Sequence, residues 1–342
     1  MSIGQLPQSF RGYVGLAIET TYGTGVAPQV FVDATSDGFS LDNQPDFQNT
    51  TRSQATHKGE AGAFNDEGSV DLPANPENGL GYLLAAVMGS ESFTTQDPDG
   101  DSTDEVGEHV FTPSDTLPSL SVEVDRDTDV LRHVGGGVDT FELSHTAEEM
   151  LTASADIIAK EPDPKPYESS SQATPTYSDL RNFRWNDIDL TVNGNNRDTD
   201  VQEATFSIER NLAQNFRGER TLSKIEQGER VFTATVTLDF EDRDLFNQFL
   251  GAADASGVQD QLANIGIDAT WSSPETIADT STPFSLRWNM PTCTVNTHEA
   301  NIDQNSAVAE DVELRGLFDP SISGEAEITL INGITEQYQA AP

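Results

Sequence analysis

Cysteine is nearly missing from the 342 residues. Cys293 stands alone, which excludes an intrachain disulfide and any cysteine-based metal cluster. A solitary thiol with no base beside it is expected in the core, as a small apolar side chain. Lysine is almost as scarce: four residues (Lys58, Lys160, Lys165 and Lys224) accompany fourteen arginines. No stretch approaches the roughly 18 apolar residues of a membrane span. The first eight residues lack the basic and apolar regions of a secretion leader, so a soluble chain without a membrane partner is expected. His57, His109, His133, His145 and His298 show no HExxH or HxH spacing, and neither a GxSxG elbow nor a phosphate-binding loop occurs. No catalytic residue and no cofactor is expected, and a hydrolase built on scattered carboxylates has no motif behind it.

Acid is what the chain has in excess. Fifty-eight Asp and Glu against eighteen Lys and Arg give a formal net charge of -40, far beyond what solubility requires. Such a surface needs screening. The Debye length is about 8 Å at physiological salt and about 3 Å at 1 M, so molar salt largely removes the repulsion. Seventeen Phe, six Tyr and three Trp spread along the chain argue for packed cores rather than disorder. The preference for Arg, the less strongly hydrated cation, points the same way, to a folded protein of very salty surroundings.

Strand periodicity dominates. Phe232, Ala234, Val236, Leu238 and Phe240 alternate with Thr233, Thr235, Thr237 and Asp239, a half-buried strand. Similar runs cover 119–124, 138–143, 151–157, 188–192, 204–208, 284–288 and 327–331. Helices are expected over 75–88, closed by Gly89 with a stripe of Leu80, Leu83, Leu84 and Val87, and over 241–250, closed by Gly251 with Leu245, Phe246, Phe249 and Leu250.

The order of elements repeats. Strand 39–47, a loop over 51–65, strand 67–72 and the first helix are matched by strand 203–211, a loop over 214–228, strand 230–240 and the second helix. Between the halves, 161–177 carries Pro162, Pro164, Pro166, Pro175 and a Ser169-Ser170-Ser171 run, the composition of a linker. Two tandem units, 1–160 and 178–342, joined by 161–177, are therefore expected.

Among candidate sites, Asp97, Asp99, Asp101 and Asp104 place carboxylates around Gly100 as a partial calcium loop; counted from Asp97, Glu108 stands at the twelfth position, but the glycine falls at the fourth and not at the sixth as in an EF-hand. A halophilic, calcium-dependent adhesin or carbohydrate-binding β-sandwich is the alternative class this loop supports. Gly135-Gly136-Gly137 lacks the lysine and helix start of a phosphate cradle and is expected to be a bend or bulge. Asn49-Thr50-Thr51 matches a glycosylation sequon but is expected to be a polar loop start. Basic charge is concentrated in the two corresponding loops: Arg52, Lys58, Arg210, Arg217, Arg220, Lys224 and Arg230 are seven of the eighteen cations. They pair locally with acids, or they contact an acidic surface of another subunit through bidentate Arg–carboxylate bonds.

The opening Gly12-Tyr-Val-Gly-Leu-Ala-Ile-Glu19-Thr-Thr-Tyr22-Gly-Thr-Gly-Val-Ala-Pro28, followed by Val30-Phe-Val-Asp33, resembles the start of tail tube proteins of long-tailed phages, where a Glu-x-x-Tyr-Gly-Thr-x-x-Ala-Pro turn precedes the first strands. The repeated order extends the likeness over nearly the whole chain. The resemblance implies a mainly β fold of two tandem β-sandwich modules, each with one flanking α-helix, whose strands join those of neighbours in a barrel around a DNA-conducting lumen. Stacked rings form the tube. Two modules per chain imply a trimeric, pseudo-sixfold ring, with a hexamer as the alternative. The loop that reaches the adjacent ring in the family maps onto 51–65 and 214–228, which makes Arg52, Lys58, Arg217, Arg220 and Lys224 the expected inter-ring contacts. Expected partners are tape-measure and terminator or baseplate proteins, with double-stranded DNA in transit. The expected setting is the tail of a virion made in the host cytoplasm, and the acidity implies a virus of halophilic archaea.

Overall fold

Threonines and acids alternate with apolar residues along much of the chain, and a strand forms wherever they do. A computed structural model describes residues 12–49, 51–98, 100, 103–127, 129–163, 173–301 and 308–339, and among these the protein is mainly β. The early strands are β1 (Val14–Ile18), β2 (Val30–Val32), β3 (Ser36–Asp37), β4 (Ser40–Asp42), β5 (Asp46–Gln48), β6 (Lys58–Glu60) and β7 (Asn65–Pro73). Helix α1 (Leu80–Met88) leads into β8 (Gly89–Gln96), β9 (Val106–Pro113), β10 (Leu120–Asp125), β11 (Val130–Thr146), β12 (Thr152–Ala159) and β13 (Glu161–Pro162). Then come β14 (Ile188–Val192), β15 (Asn195–Asn196), β16 (Val201–Glu209), β17 (Ala213–Asn215), β18 (Lys224–Glu226) and β19 (Val231–Asp239). Helix α2 (Asp244–Leu250) precedes β20 (Asn264–Thr276), β21 (Pro283–Asn301), β22 (Ala309–Gly316) and β23 (Glu327–Asn332).

Three elements differ from expectation, each for a local reason. The strand expected over 39–47 is divided, because Pro45 has no N–H to donate and Gln44 turns the chain at φ 37°. Its first part pairs with β7 and its second forms a separate hairpin with β6. Helix α1 starts five residues late: the Asn75 side chain accepts the Glu77 N–H in a turn, and Gly79 sits at φ 78°, outside helical space. Helix α2 starts at Asp244, whose N–H the Asp242 side chain accepts at 2.7 Å in a turn, and of its expected stripe only Leu245 is buried, with Phe249 37% exposed.

Pairing is antiparallel throughout, and its order recurs. β4 pairs with β7, β7 with β12, and β12 with the second half of β11. Later in the chain, β16 pairs with β19, β19 with β22, and β22 with the second half of β21. The registers match: Asp42 opposes Asn65 and Asp37 opposes Val70, as Glu209 opposes Val231 and Ala204 opposes Val236. Even the irregularities coincide, since β11 carries one extra residue at Asp139 against β12, and β21 one extra at Asn296 against β22. Extra residues of this kind bend a strand and sharpen its twist.

The two sets are joined edge to edge. The Thr140–Thr146 stretch of β11 pairs with β16, Thr140 opposing Glu209 and Thr146 opposing Glu203, so eight strands run in one sheet from β4 to the end of β21. The first halves of the long strands belong elsewhere: β11 pairs with β10 and onward to β1 and β2, while β21 pairs with β20 and onward to β14 and β15. The crossover in β11 falls at the expected glycine bulge. Gly135 has φ 65° and a Cβ there would lie 2.9 Å from that of Lys160. A second joint links β23 to β9 and thereby to β8.

Under the β11–β16 joint lies the aromatic centre of the core. Phe206 meets the Trp271 ring edge-on at 5.7 Å and the Trp288 ring at 5.4 Å, and Phe141 stacks on Trp288 at 6.5 Å. All four are fully buried, each such ring removing 150–250 Å² from water, and one hydrophobic cluster runs through both halves of the chain. Cys293 is buried in it as expected, its thiol pushed up to about 12 by desolvation.

Candidate assembly surfaces

Period-2 alternation gives the eight-stranded sheet one apolar face and one polar face. On β16 the buried side chains are Ala204, Phe206 and Ile208, and on β19 Phe232, Ala234, Val236 and Leu238. Their neighbours on the opposite face are hydroxyls and carboxylates, continued by Glu142 and Ser144 of β11, Ser154 and Asp156 of β12, and Asp311 and Glu313 of β22. Asp156 and Asp311, and Asp71 of β7 with them, are held down by cross-strand hydroxyls. Thr140 donates to Asp156 at 2.6 Å, Ser154 to Asp71 at 2.6 Å and Thr237 to Asp311 at 2.7 Å, while Ser36 also donates to Asp71. A carboxylate fixed this way lies along the sheet instead of projecting from it, and as an acceptor-only group it has nothing to offer a phosphate. Sequence alternation revealed the two faces of single strands, β11, β12, β16 and β19 among them; the breadth of the polar face is a product of the pairing.

The basic cluster divides into two kinds. Arg210 is buried: it donates to the carbonyls of Met88 at 3.2 Å and Ser114 at 2.8 Å, closing the C-terminal end of α1, and burial with Arg230 nearby lowers its pKa to about 10. Arg230 pairs with Glu325 at 3.0 Å and Asp115 at 2.9 Å. Arg217, Arg220 and Lys224 lie on or beside the β17–β18 hairpin, and Lys58 on β6 of the β5–β6 hairpin with Arg52 in the exposed turn before it. Arg217 forms an exposed pair with Glu226 at 3.2 Å. Arg220 crosses to the first loop, donating to the Gly62 carbonyl and to Asn43 Oδ1, each at 2.8 Å. The structure thus brings the two loops side by side, a contact that composition could not reveal.

Other expected positions serve the fold or lie partly outside the described residues. Asp97 accepts the Gly100 N–H at 2.6 Å and Asp104 the Thr95 hydroxyl at 2.6 Å, while Asp99 and Asp101 lie outside the described residues. Thr50 of the sequon lies outside them too. Among the described residues, no group of three or more His, Asp, Glu or Cys side chains is arranged to hold a metal. His145 is buried with its pKa lowered to about 4 by desolvation, and its Nδ1 accepts the Trp271 indole N–H at 3.2 Å.

Glu19 explains the opening motif. Its buried carboxylate accepts the Gly23 N–H at 2.8 Å and the Gly135 N–H at 2.8 Å, with the hydroxyls of Ser119 and Ser121 at 2.7 and 2.8 Å. Gly23 is at φ 71°, which favours glycine, and Tyr22 lies over Gly135. A glutamate, a tyrosine and a glycine at this spacing tie the turn before β2 to the crossover of β11. A family model described as phage tail tube protein matches residues 9–316. The chain belongs to the phage tail tube protein family. No curated protein matches it. Membership makes the chain a structural component of a virion tail. No described helix is long and apolar enough to cross a membrane.

Proposed function

We propose that this tail tube protein assembles head to tail into rings that stack as the hollow tube through which viral DNA passes. The observation carrying this reading is the recurrence of strand order, register and bulge position in two four-strand sets already joined as neighbours by β11 and β16. Each set acts as one β-sandwich module with its helix, the first within 1–160 and the second within 178–342, with 161–177 as the connection. Three chains then supply six modules in a pseudo-sixfold ring, and a six-chain ring is the alternative.

The polar sheet face lines the lumen. Hydroxyl-tethered carboxylates repel phosphate and leave DNA free to slide, since affinity for DNA comes from Lys and Arg neutralising phosphates. Arg52, Lys58, Arg217, Arg220 and Lys224, grouped on two adjacent hairpins, contact the acidic surface of the next ring. Tape-measure and terminator or baseplate proteins cap the tube, and the net charge of -40 suits a virus of halophilic archaea. The role is structural and not enzymatic.

Averaged end-on electron micrographs of protein assembled in molar salt test this reading. Hollow rings with three-fold or approximate six-fold symmetry are expected; solid aggregates, or monomers alone, overturn it.

A further inference from the structure

The eight-stranded sheet ends on two unpaired edges. Among the described residues, β4 has β7 on one side and no strand on the other, and beyond Val295 the strand β21 has β22 on one side and no strand on the other. Unpaired edges of this kind are templates for pairing with another chain. We infer that these two edges close on each other between neighbouring chains, in one register: Thr297 opposite Asp42, His298 opposite Leu41, Glu299 opposite Ser40, Ala300 opposite Phe39 and Asn301 opposite Gly38. The inference rests on the ring reading above and adds the identity and alignment of its seam.

The internal joint supplies the alignment. There Thr140 opposes Glu209, Phe141 opposes Ile208, Glu142 opposes Ser207 and Leu143 opposes Phe206. Because β21 repeats the register and bulge of β11, Thr297 stands where Thr140 does; because β3 and β4 repeat the register of β16, Asp42 stands where Glu209 does.

Exposure agrees. Leu41 is 45% exposed, whereas Ile208, its counterpart, is fully buried, and Ala300 is exposed where Leu143 is buried. Helix α1 is buried along nearly its whole length, whereas Phe249 of α2 remains exposed beside the His298 ring at 6.3 Å. Pairing at the outer edges covers Leu41 with the His298 and Phe249 rings, as the internal joint covers Ile208. Charge excludes one alternative: in this alignment no two carboxylates oppose each other, whereas the two-residue slip that sets Asp42 against Glu299 makes a destabilising like-charge pair. A one-residue slip would set Leu41 opposite Thr297 or Glu299, whose side chains belong to the polar face, so the pleats of the two strands would be out of step.

Cysteine pairs in the full chain test the seam. Opposed antiparallel residues have Cα atoms about 4.5–5.5 Å apart, within the disulfide range of about 4.4–6.8 Å, while diagonal neighbours lie about 7–8 Å apart. Native Cys293 is buried, with its thiol pushed up to about 12, and does not compete. Oxidised rings of the Ser40→Cys, Glu299→Cys protein are expected to run as chain-to-chain linked species on a non-reducing denaturing gel and to return to monomer on reduction. The slipped control, Asp42→Cys with Glu299→Cys, is expected to give at least tenfold less. Rings in micrographs with cross-links only in the slipped control, or in neither pair, overturn the seam and leave the ring reading standing. Absence of rings from the unmodified protein overturns both.

Discussion

Arg220 donates from Nη2 to Asn43 Oδ1 at 2.8 Å, joining two hairpin loops that lie 177 residues apart in the chain. Its Nε takes the Gly62 carbonyl as well, while its own carbonyl accepts the Phe64 N–H at 2.7 Å. Arg220 therefore ties the loops together and leaves Arg217, beside it, on the surface.

That division predicts different outcomes for the two arginines. Arg217→Glu removes only an exposed pair worth roughly 0–1 kcal/mol, so its melting temperature is expected to stay within a few degrees while tubes shorten severalfold in micrographs. Arg220→Glu is expected to shorten them too, and to loosen amide-exchange protection at 62–64. Unchanged tube length in the doubly substituted protein would remove these loops from the stacking contact.

The core beneath the β11–β16 joint is where a single truncation costs most. Phe206→Ala leaves a cavity between Trp271 and Trp288 and is expected to cost about 3–5 kcal/mol in denaturant unfolding. A loss below about 1 kcal/mol would mean that this cluster does not hold the halves together.

His145 gives the fold an acid-sensitive element. Its pKa falls from 6.5 to about 4 on burial, so the unfolded chain binds the proton more tightly than the folded one. The neutral ring's contribution is whole above about pH 6.5 and is lost as pH falls towards 4, by up to about 3 kcal/mol. His145→Gln is expected to flatten unfolding free energy against pH in that window, relative to the unsubstituted protein. Equal slopes would show that the His145 charge is not what acid adds.

Salt is expected to act on the whole surface. Between 0.1 M and 2 M KCl the melting temperature should rise by ten degrees or more, because the Debye length shrinks from about 10 Å to below about 3 Å and carboxylate repulsion fades. NaCl should act similarly. A melting temperature independent of salt would separate the acidity from any halophilic role.

What the linear sequence determined by itself was local or compositional. Period-2 alternation at 231–240 announced the buried side chains of β19 from Phe232 to Leu238, but not that Phe240, past the end of the strand, is exposed; the isolated Cys293 announced a buried thiol, and the Glu19 to Pro28 motif announced the family. Each is legible because it depends on neighbours along the chain or on residue type alone. Tertiary structure decided the rest. Alternation states which face of a strand is apolar but not which strand lies beside it, so the joint between β11 and β16, and hence the breadth of the polar face, emerged only from pairing. Arg210 and Arg217 read alike in sequence, yet one is buried against the end of α1 and the other faces solvent, because burial is set by segments far away in the chain. The free edges at β4 and β21 follow for the same reason: an edge exists only where every other strand has already found its partner.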